Sequence, residues 1–206
     1  ARNSVKVTID AYDGTMTFYV MDGNDPIIQA YQKAFPRLFT SAEKMPAGLR
    51  DHLRYPEDLF RVQSAMYGRY HITNPSDFYS GGDEWAVSPD PGSGEARRGA
   101  PTTTSIVPGS LTVTSKLRRM EPSYLLMRLP GDSKEKFILL QTYVPASGAD
   151  TQPIMTAFLT ASSDPEDYGK LRAFVMPSGR SIDGPLLVDN TINSTPELSG
   201  QITLLN

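Results

Sequence analysis

Two short runs of alternating apolar and polar residues flank an Asp-Gly pair near the start of the chain. Apolar residues alternate over residues 5–11, Asp13-Gly14 follows, and the alternation resumes over residues 16–20. An Asp-Gly pair favours a type I′ turn, because glycine adopts a positive φ without a steric penalty. This pattern predicts a β-hairpin, and no other part of the chain constrains the fold as strongly.

A two-residue turn at Asp13-Gly14 also determines which residues of the hairpin lie opposite one another. The expected facing pairs are Tyr12 with Thr15, Ala11 with Met16, Ile9 with Phe18, and Val7 with Val20. The last three pairs form one continuous apolar face. Because a two-stranded ribbon is only marginally stable in water, we expect this face to pack against another element.

Helical patterns follow the hairpin. Asp25 is expected to cap a helix that starts at Pro26, and its predicted buried stripe is Ile27, Ala30, Tyr31 and Ala34. A short helix is predicted over residues 46–53. Pro56 starts a longer helix that ends before Asn74-Pro75, and its predicted buried face is Leu59, Val62, Met66 and Tyr70.

The second half of the chain has the pattern of a sheet. Strand-like runs occupy residues 123–129, 136–144, 154–161, 171–176 and the region from 182 onward. Residues 163–169 predict a single helical turn that Asp164 caps and Gly169 ends. Residues 195–197 are typical of the start of another helix.

These elements predict an α+β fold, with an N-terminal β-hairpin and short helices beside a mainly antiparallel sheet. We divide the chain into a hairpin-plus-helical part over residues 1–87, a flexible Pro/Gly/Thr-rich loop over 88–110, and a mainly β part over 111–206. The three parts are expected to form one domain. The loop assignment is based on low hydrophobicity and the absence of any period.

Composition excludes several classes of function. The formal net charge of −3 provides no basic excess to neutralise phosphates, so no nucleic-acid partner is expected. The chain contains no cysteine, which excludes disulfides and thiolate chemistry within it. No apolar run approaches the roughly 20 residues that a membrane-spanning helix needs.

The candidate reactive residues are concentrated in residues 50–71, which contain both histidines. His52 and His71 lack the spacing that places two histidines on one helical face, so we expect neither a metal site nor a cofactor. Their presence near acidic residues leaves one catalytic alternative open, a hydrolase. Its candidate groups are His52, Glu57, Asp58 and His71.

The same stretch is also rich in arginine and aromatic residues. Arginine suits anionic groups, and both residue types dominate the hot spots of protein interfaces. The predicted binding residues are Arg54, Tyr55, Arg61, Arg69 and His71. In the structural alternative, the aromatic residues belong to the core and the arginines pair with Asp51, Glu57 and Asp58.

Several ordered motifs resemble one family. They are Asn-Ser-Val-Lys-Val with Asp-Ala-Tyr-Asp-Gly-Thr (3–15), Leu-Arg-Tyr-Pro-Glu-Asp-Leu-Phe-Arg-Val-Gln (53–63), Tyr-His (70–71), Tyr-Leu-Leu-Met-Arg-Leu-Pro-Gly (124–131) and Asp-Tyr-Gly-Lys-Leu (167–171). Together they resemble the uncharacterised protein family numbered 0182. Members of that family are large bacterial membrane proteins with several N-terminal transmembrane helices, followed by a large domain expected outside the cytoplasm.

The resemblance implies a location and a set of partners, but no catalytic residues. It implies that the chain is a fragment on the extracytoplasmic side of the membrane, anchored through helices that these residues do not include. The expected partners are the transmembrane portion of the same polypeptide and other envelope components. The expected function is a non-catalytic module for assembly or ligand binding, and the alternative is a cell-envelope-modifying enzyme such as a hydrolase.

Overall fold

The computed structural model describes residues 2–92, 102–107, 110–115, 118–146, 154–177 and 179–205. Its fold is α+β, as the sequence predicted. A three-stranded sheet lies at the N-terminus, and a five-stranded antiparallel sheet forms the centre. Two further strands, Thr102–Val107 (β5) and Ser110–Ser115 (β6), pair antiparallel as a separate two-stranded sheet. None of the helices in the described ranges is long and apolar enough to cross a membrane.

The N-terminal sheet is built from the predicted hairpin and one further strand. Val5–Ile9 (β1) pairs antiparallel with Met16–Val20 (β2), and Phe39–Ser41 (β3) adds to β2 in parallel. Helix α1 (Pro26–Ala34) connects β2 to β3, as a parallel pair requires a crossover. The strand order is therefore β1-β2-β3, with β1 as an outer strand.

The hairpin itself is confirmed, but the predicted two-residue turn and its register are wrong. Val5 faces Val20, Val7 faces Phe18 and Ile9 faces Met16. The loop is longer because two aspartates bond to the backbone within it. The Asp10 carboxylate accepts from the Tyr12 N–H at 2.8 Å, and the Asp13 carboxylate accepts from the Thr15 N–H at 2.9 Å. The register has shifted by two residues, which preserves the apolar face since side chains alternate with a period of two.

Helix α1 begins as predicted, but its predicted buried stripe is wrong. The Asp25 carboxylate accepts from the Ile27 N–H at 2.9 Å and caps the helix ahead of Pro26. Ile28 is the buried residue of this helix, whereas the predicted residues are all exposed, namely Ile27, Ala30, Tyr31 and Ala34. The apolar stripe exists, but no described part of the chain covers it.

Four helical elements follow β3. They are a single 3-10 turn (Ala42–Lys44), the short helix α2 (Ala47–Arg50), the longer helix α3 (Glu57–Tyr70) and the short helix α4 (Pro75–Ser80). The predicted buried face of α3 is wrong. Val62, Met66 and Tyr70 are exposed and Leu59 is half-buried, while the buried residues are Phe60, Ser64 and Gly68. Small residues on this face allow the helix backbone to approach the neighbouring strand closely, which an apolar period does not reveal.

The central sheet contains β4 (Trp85–Val87), β7 (Ser123–Met127), β8 (Lys136–Pro145), β9 (Ala157–Ser162) and β10 (Leu171–Val175). Strand β8 pairs with β9 on one edge, and with both β7 and β4 on the other. All pairs are antiparallel, as predicted. Helix α3 packs against β4 and β8.

The region after β10 differs from the prediction. A strand was expected from residue 182 onward, but Pro185–Ser194 forms a helix, α5, which begins after Gly184 with proline in its first turn. A second helix, α6 (Pro196–Leu205), starts where the sequence predicted. Of the predicted loop 88–110, residues 102–107 form strand β5, whereas residues 93–101 and 108–109 lie outside the described residues.

The core lies between α3 and the central sheet. Its buried members are Tyr55, Phe60, Trp85, Leu139, Tyr143, Ala157, Leu159 and Ala161. The side chain of Tyr143 extends from β8 to α3, where its hydroxyl donates to the Ser64 carbonyl at 2.8 Å. Burial raises the pKa of Tyr143 to about 12. This residue therefore ties the sheet to the small-residue face of α3.

Candidate functional site

Arg54 lies at the junction between the N-terminal and central sheets. Its carbonyl accepts from the Lys6 ammonium at 3.0 Å and from the Tyr168 hydroxyl at 3.0 Å. Its guanidinium lies over the Tyr124 ring, 5.4 Å from the centroid. Arg54 thus holds the N-terminal sheet to the rest of the molecule through its backbone and its side chain.

Tyr55 is buried in the core beside Arg54. Its N–H donates to the Ser163 hydroxyl at 3.1 Å and its own hydroxyl donates to Gln63 Oε1 at 2.8 Å. The ring meets Phe60 edge-on at 6.4 Å. Burial raises the pKa of Tyr55. The polar groups of Tyr55 are therefore engaged in holding the loop 52–56 in place.

Two of the predicted arginines lie farther along α3. Arg61 forms ion pairs with Asp58 at 3.3 Å and with Glu121 at 2.7 Å. Arg69 lies over the Phe78 ring, 5.0 Å from the centroid. Arg61 thus has one of the acidic partners that the structural alternative predicted, and one that it did not.

His71 follows the last residue of α3. Its ring stacks on Trp85 with a centroid separation of 3.6 Å, and its Nδ1 lies 2.9 Å from the Tyr67 carbonyl oxygen. Its Nε2 is buried and has no hydrogen-bond partner among the described residues. A helix of 14 residues is about 21 Å long, so His71 and Arg54 lie near opposite ends of α3. The binding role of the five residues stays a prediction.

The groups of the catalytic alternative are likewise separated. His52 is exposed, and its Nδ1 lies 2.6 Å from the Gly48 carbonyl oxygen. Glu57 and Asp58 occupy the first turn of α3, whereas His71 follows the last turn. Among the described residues, no group of three or more histidine or acidic side chains is arranged to hold a metal ion.

A polar cleft of about 400 Å³ lies between the N-terminal strand and the turn around Tyr168. Within it, the buried Asp25 carboxylate accepts from Ser4 and forms an ion pair with Arg2 at 2.7 Å. Hydrogen bonds, first from Ser4 and then from the Ile27 N–H, hold the pKa of Asp25 below its usual range. This carboxylate already occupies the N-terminus of α1, so the cleft's most buried charge serves the fold.

A network of charged residues fixes the turn that forms one wall of this cleft. Lys136 pairs with Asp167, which also accepts from Ser162. Arg172 donates two hydrogen bonds to the Asp132 carboxylate, at 2.9 and 2.5 Å. Residues 163–169, predicted as a helical turn that Asp164 caps, form a hydrogen-bonded turn in which the Asp167 N–H donates to the Asp164 carbonyl at 3.2 Å. The predicted cap is wrong, because the Asp164 carboxylate accepts instead from the Phe137 N–H at 3.2 Å. The turn ends at Gly169 with φ +79°, as predicted.

Part of the apolar surface is left exposed in the described part of the chain. We define the open face as the exposed side chains Val7, Ile9 and Met16 of the hairpin, Ile27 and Tyr31 of α1, and Phe35, which follows the last residue of α1. A cleft of about 250 Å³ lies between Val5 of β1 and the α1 residues Ile27, Ile28 and Tyr31, and Arg2, Ser4 and Asp25 also line it. The sequence pattern did predict apolar faces on both elements, but it could not show that they would remain uncovered.

Helix α3 carries a second uncovered stripe. Val62, Met66 and Tyr70 recur every four residues on the side away from the core, and all three are exposed. The Tyr70 ring also contacts Phe78 of α4 at 5.7 Å. Helix α3 therefore has two apolar sides, and the described residues bury only the side that faces the central sheet.

These features define an α+β module that covers only part of its own apolar surface. The chain belongs to the Uncharacterised protein family (UPF0182), whose family model matches residues 1–205. The resemblance seen in the sequence motifs is confirmed by this match.

Relatives in several bacteria support the assignment. A UPF0182 protein of Microcystis aeruginosa (strain NIES-843 / IAM M-2473) is 42% identical over 205 residues, which is 100% of this chain and 19% of the relative. A UPF0182 protein of Geobacter sp. (strain M21) is 40% identical over 203 residues, covering 98% of this chain and 19% of the relative. The chain thus spans about a fifth of the length of these relatives. No solved structure matches it.

Proposed function

We propose that this chain is a non-catalytic assembly module of a longer membrane protein, and that its open face docks against other parts of the same polypeptide. The observation that carries the proposal is the exposure of side chains whose spacing is typical of burial. Ile9 is 65% exposed and Tyr31 is 53% exposed, although both lie on periodic apolar faces. Single exposed apolar residues are normal, but contiguous patches mark interaction surfaces.

The energetics favour a covered face. Fully burying a large aliphatic or aromatic side chain contributes roughly 1.5–3 kcal/mol, and the open face contains six such side chains. The relatives are about five times longer than this chain, since it covers 19% of their length. A polypeptide of that length supplies further segments at a high effective concentration, so an intramolecular partner is favoured over a separate one.

Lysine substitutions in the open face test this proposal in the full-length protein. Ile9→Lys and Met16→Lys leave the charge in solvent within this chain, so the module's own stability is expected to change by no more than about 0.5 kcal/mol. If the face is docked, each lysine is forced into an apolar interface at a cost of several kcal/mol. We expect several-fold faster limited proteolysis of the full-length protein in its native membrane.

Tyr79→Lys is the matched control, because Tyr79 is 87% exposed and lies on α4, outside the open face. It should behave as the wild type does. Unchanged proteolysis of both Ile9→Lys and Met16→Lys would refute the docking of this face.

The proposed location is the extracytoplasmic side of the membrane, with anchoring through helices elsewhere in the longer protein. The support for this part of the proposal is the family resemblance of the motifs described above. Other envelope components are proposed as additional partners. A cysteine at Tyr79 provides a test in a full-length protein whose other cysteines have been removed, and this chain contributes none of its own. A membrane-impermeant maleimide should label Tyr79→Cys in intact cells, whereas labelling that requires permeabilisation would place the module in the cytoplasm.

A further inference from the structure

We infer that an amphipathic helix from another part of the same polypeptide occupies the trough between α1 and β1. This inference rests on the proposed function and specifies the partner of the open face. The floor of the trough is formed by Val5, Val7 and Ile9, which share one face of β1 because strand side chains alternate. Its wall is formed by Ile27 and Tyr31 of α1, which line a common cleft with Val5.

The topology of the N-terminal sheet explains why this trough is open. Helix α1 is the crossover between β2 and β3, so it lies over those two strands. The outer strand β1 receives little cover from it. Val20 of β2 and Ile28 of α1 are buried, whereas Val7 and Ile9 of β1 are 47% and 65% exposed. Burial therefore decreases from the crossover helix towards the free side of the sheet.

The two sides of the trough run in the same direction and have matching lengths. Strand β2 runs antiparallel to β1, and α1 returns along β2, so α1 and β1 are roughly parallel. The wall continues from Ile27 through Tyr31 to Phe35, a span of eight residues or about 12 Å at 1.5 Å per residue. The floor from Val5 to Ile9 covers about 13 Å at roughly 3.3 Å per residue. A segment of about two helical turns fits this length.

The shape of the trough favours a helix over a strand. An added strand would pair with the edge of β1 and leave the side chains of α1 uncovered, since edge pairing uses main-chain groups. A helix is about 10 Å in diameter, so it can contact the sheet face and the side of α1 at the same time. The apolar floor and wall require an apolar stripe at i, i+3, i+4 and i+7 on the side of the helix that faces them.

Site-specific photo-crosslinking in the full-length protein tests this inference. A benzophenone amino acid replaces Ile9 or Tyr31, both of which are exposed in this chain, and Tyr79 serves as the control position. After irradiation of native membranes, mass spectrometry identifies the crosslinked residues. We expect both positions to crosslink intramolecularly to one segment, at residues spaced three or four apart, and Tyr79 not to crosslink to that segment.

The outcomes separate this inference from the proposed function. Crosslinks to alternate residues of one segment would identify that segment as a strand. This result would contradict the inferred helix but would still support docking within the same polypeptide. Crosslinks to a second copy or to a different protein would overturn the same-chain partner. If Ile9 and Tyr31 give no more crosslinking than Tyr79, the face is uncovered and both the inference and the proposed function fail.

Discussion

Gly68 of α3 lies directly against the backbone of Trp85 in β4. A β-carbon at position 68 would stand 2.5 Å from the Trp85 carbonyl oxygen, closer than such atoms approach in proteins. This contact allows α3 to lie close to the central sheet, with Phe60 and Ser64 buried on the same side of the helix. The packing of α3 therefore depends on the absence of a side chain at one position.

Gly68→Ala should destabilise the chain even though alanine favours helix formation. Propensity alone would stabilise the helix by about 1 kcal/mol. The clash is with backbone rather than with a flexible side chain, so α3 must shift, and overpacking of this kind typically costs 1–3 kcal/mol or more. A lower free energy of unfolding in urea is expected. Gly48→Ala in α2 is the control, because no atom lies within 4 Å of its added carbon. A stabilised Gly68→Ala would contradict the close packing.

Tyr143→Phe tests the link between the sheet and α3. The substitution removes one of the hydrogen bonds to the Ser64 carbonyl, which lies inside α3 and keeps its helical donor, so the expected cost is about 0.5–1.5 kcal/mol. Urea unfolding measures this difference. Tyr12→Phe is the control, since Tyr12 is fully exposed. An equal effect of the two substitutions would show that the Tyr143 hydroxyl is not engaged in solution.

The pKa of Tyr143 also predicts how stability depends on alkaline pH. Burial raises the pKa of this phenol from 10.0 to about 12, so between these values the unfolded chain loses a proton that the folded chain retains. Stability should therefore decrease as the pH rises through this window. Thermal midpoints of wild type and Tyr143→Phe measured across it check the sign. The variant should show the smaller loss, and identical losses would contradict the raised pKa.

Acid should weaken the chain through Asp132. Hydrogen bonds from Arg172 hold the pKa of this carboxyl below its usual value near 3.8. The stabilisation is therefore present above pH 3.8 and is lost as the pH falls through the lower folded-state pKa. The difference in thermal midpoint between wild type and Asp132→Asn should shrink on acidification. Asp51→Asn, at an exposed carboxylate, is the control. A difference that persists unchanged in acid would refute the ionic contribution.

The sequence allowed several elements to be predicted because their causes are local. Asp25 caps α1 through a carboxylate two residues from the bonded N–H, and Gly169 ends its turn with a positive φ. The antiparallel strands of the second half follow from their apolar runs. These features depend on neighbours within a few residues, which a pattern can show.

The errors have non-local or competing causes. The hairpin register changed because the Asp10 and Asp13 carboxylates bond to backbone N–H groups and lengthen the loop. The inner face of α3 could not be predicted from hydrophobicity. Ser64 and Gly68 are buried there because small side chains allow the helix to approach a strand that is distant in sequence. The predicted binding residues lie close together in the sequence. Because most of that stretch forms a helix of 14 residues, the first and last of them are far apart in space.

The apolar stripes on the hairpin and α1 were predicted correctly as patterns, but they are exposed rather than buried. Their apolar periods are present as expected, yet the described residues leave them uncovered. Periodicity predicts that a face is buried but does not identify what buries it. In a chain that spans about a fifth of its relatives' length, that partner lies in the remaining part of the polypeptide if the proposed function is correct.

Cysteine labelling of the open face tests the central claim most directly. Ile9→Cys and Tyr79→Cys are made separately in a full-length protein whose other cysteines have been removed, and the rates of maleimide labelling are compared under native conditions and in urea. If the open face is docked, Ile9→Cys should react on the order of tenfold more slowly than Tyr79→Cys in the native protein, and at a similar rate in urea. Equal native rates would show that the open face faces solvent, and would contradict the assembly role.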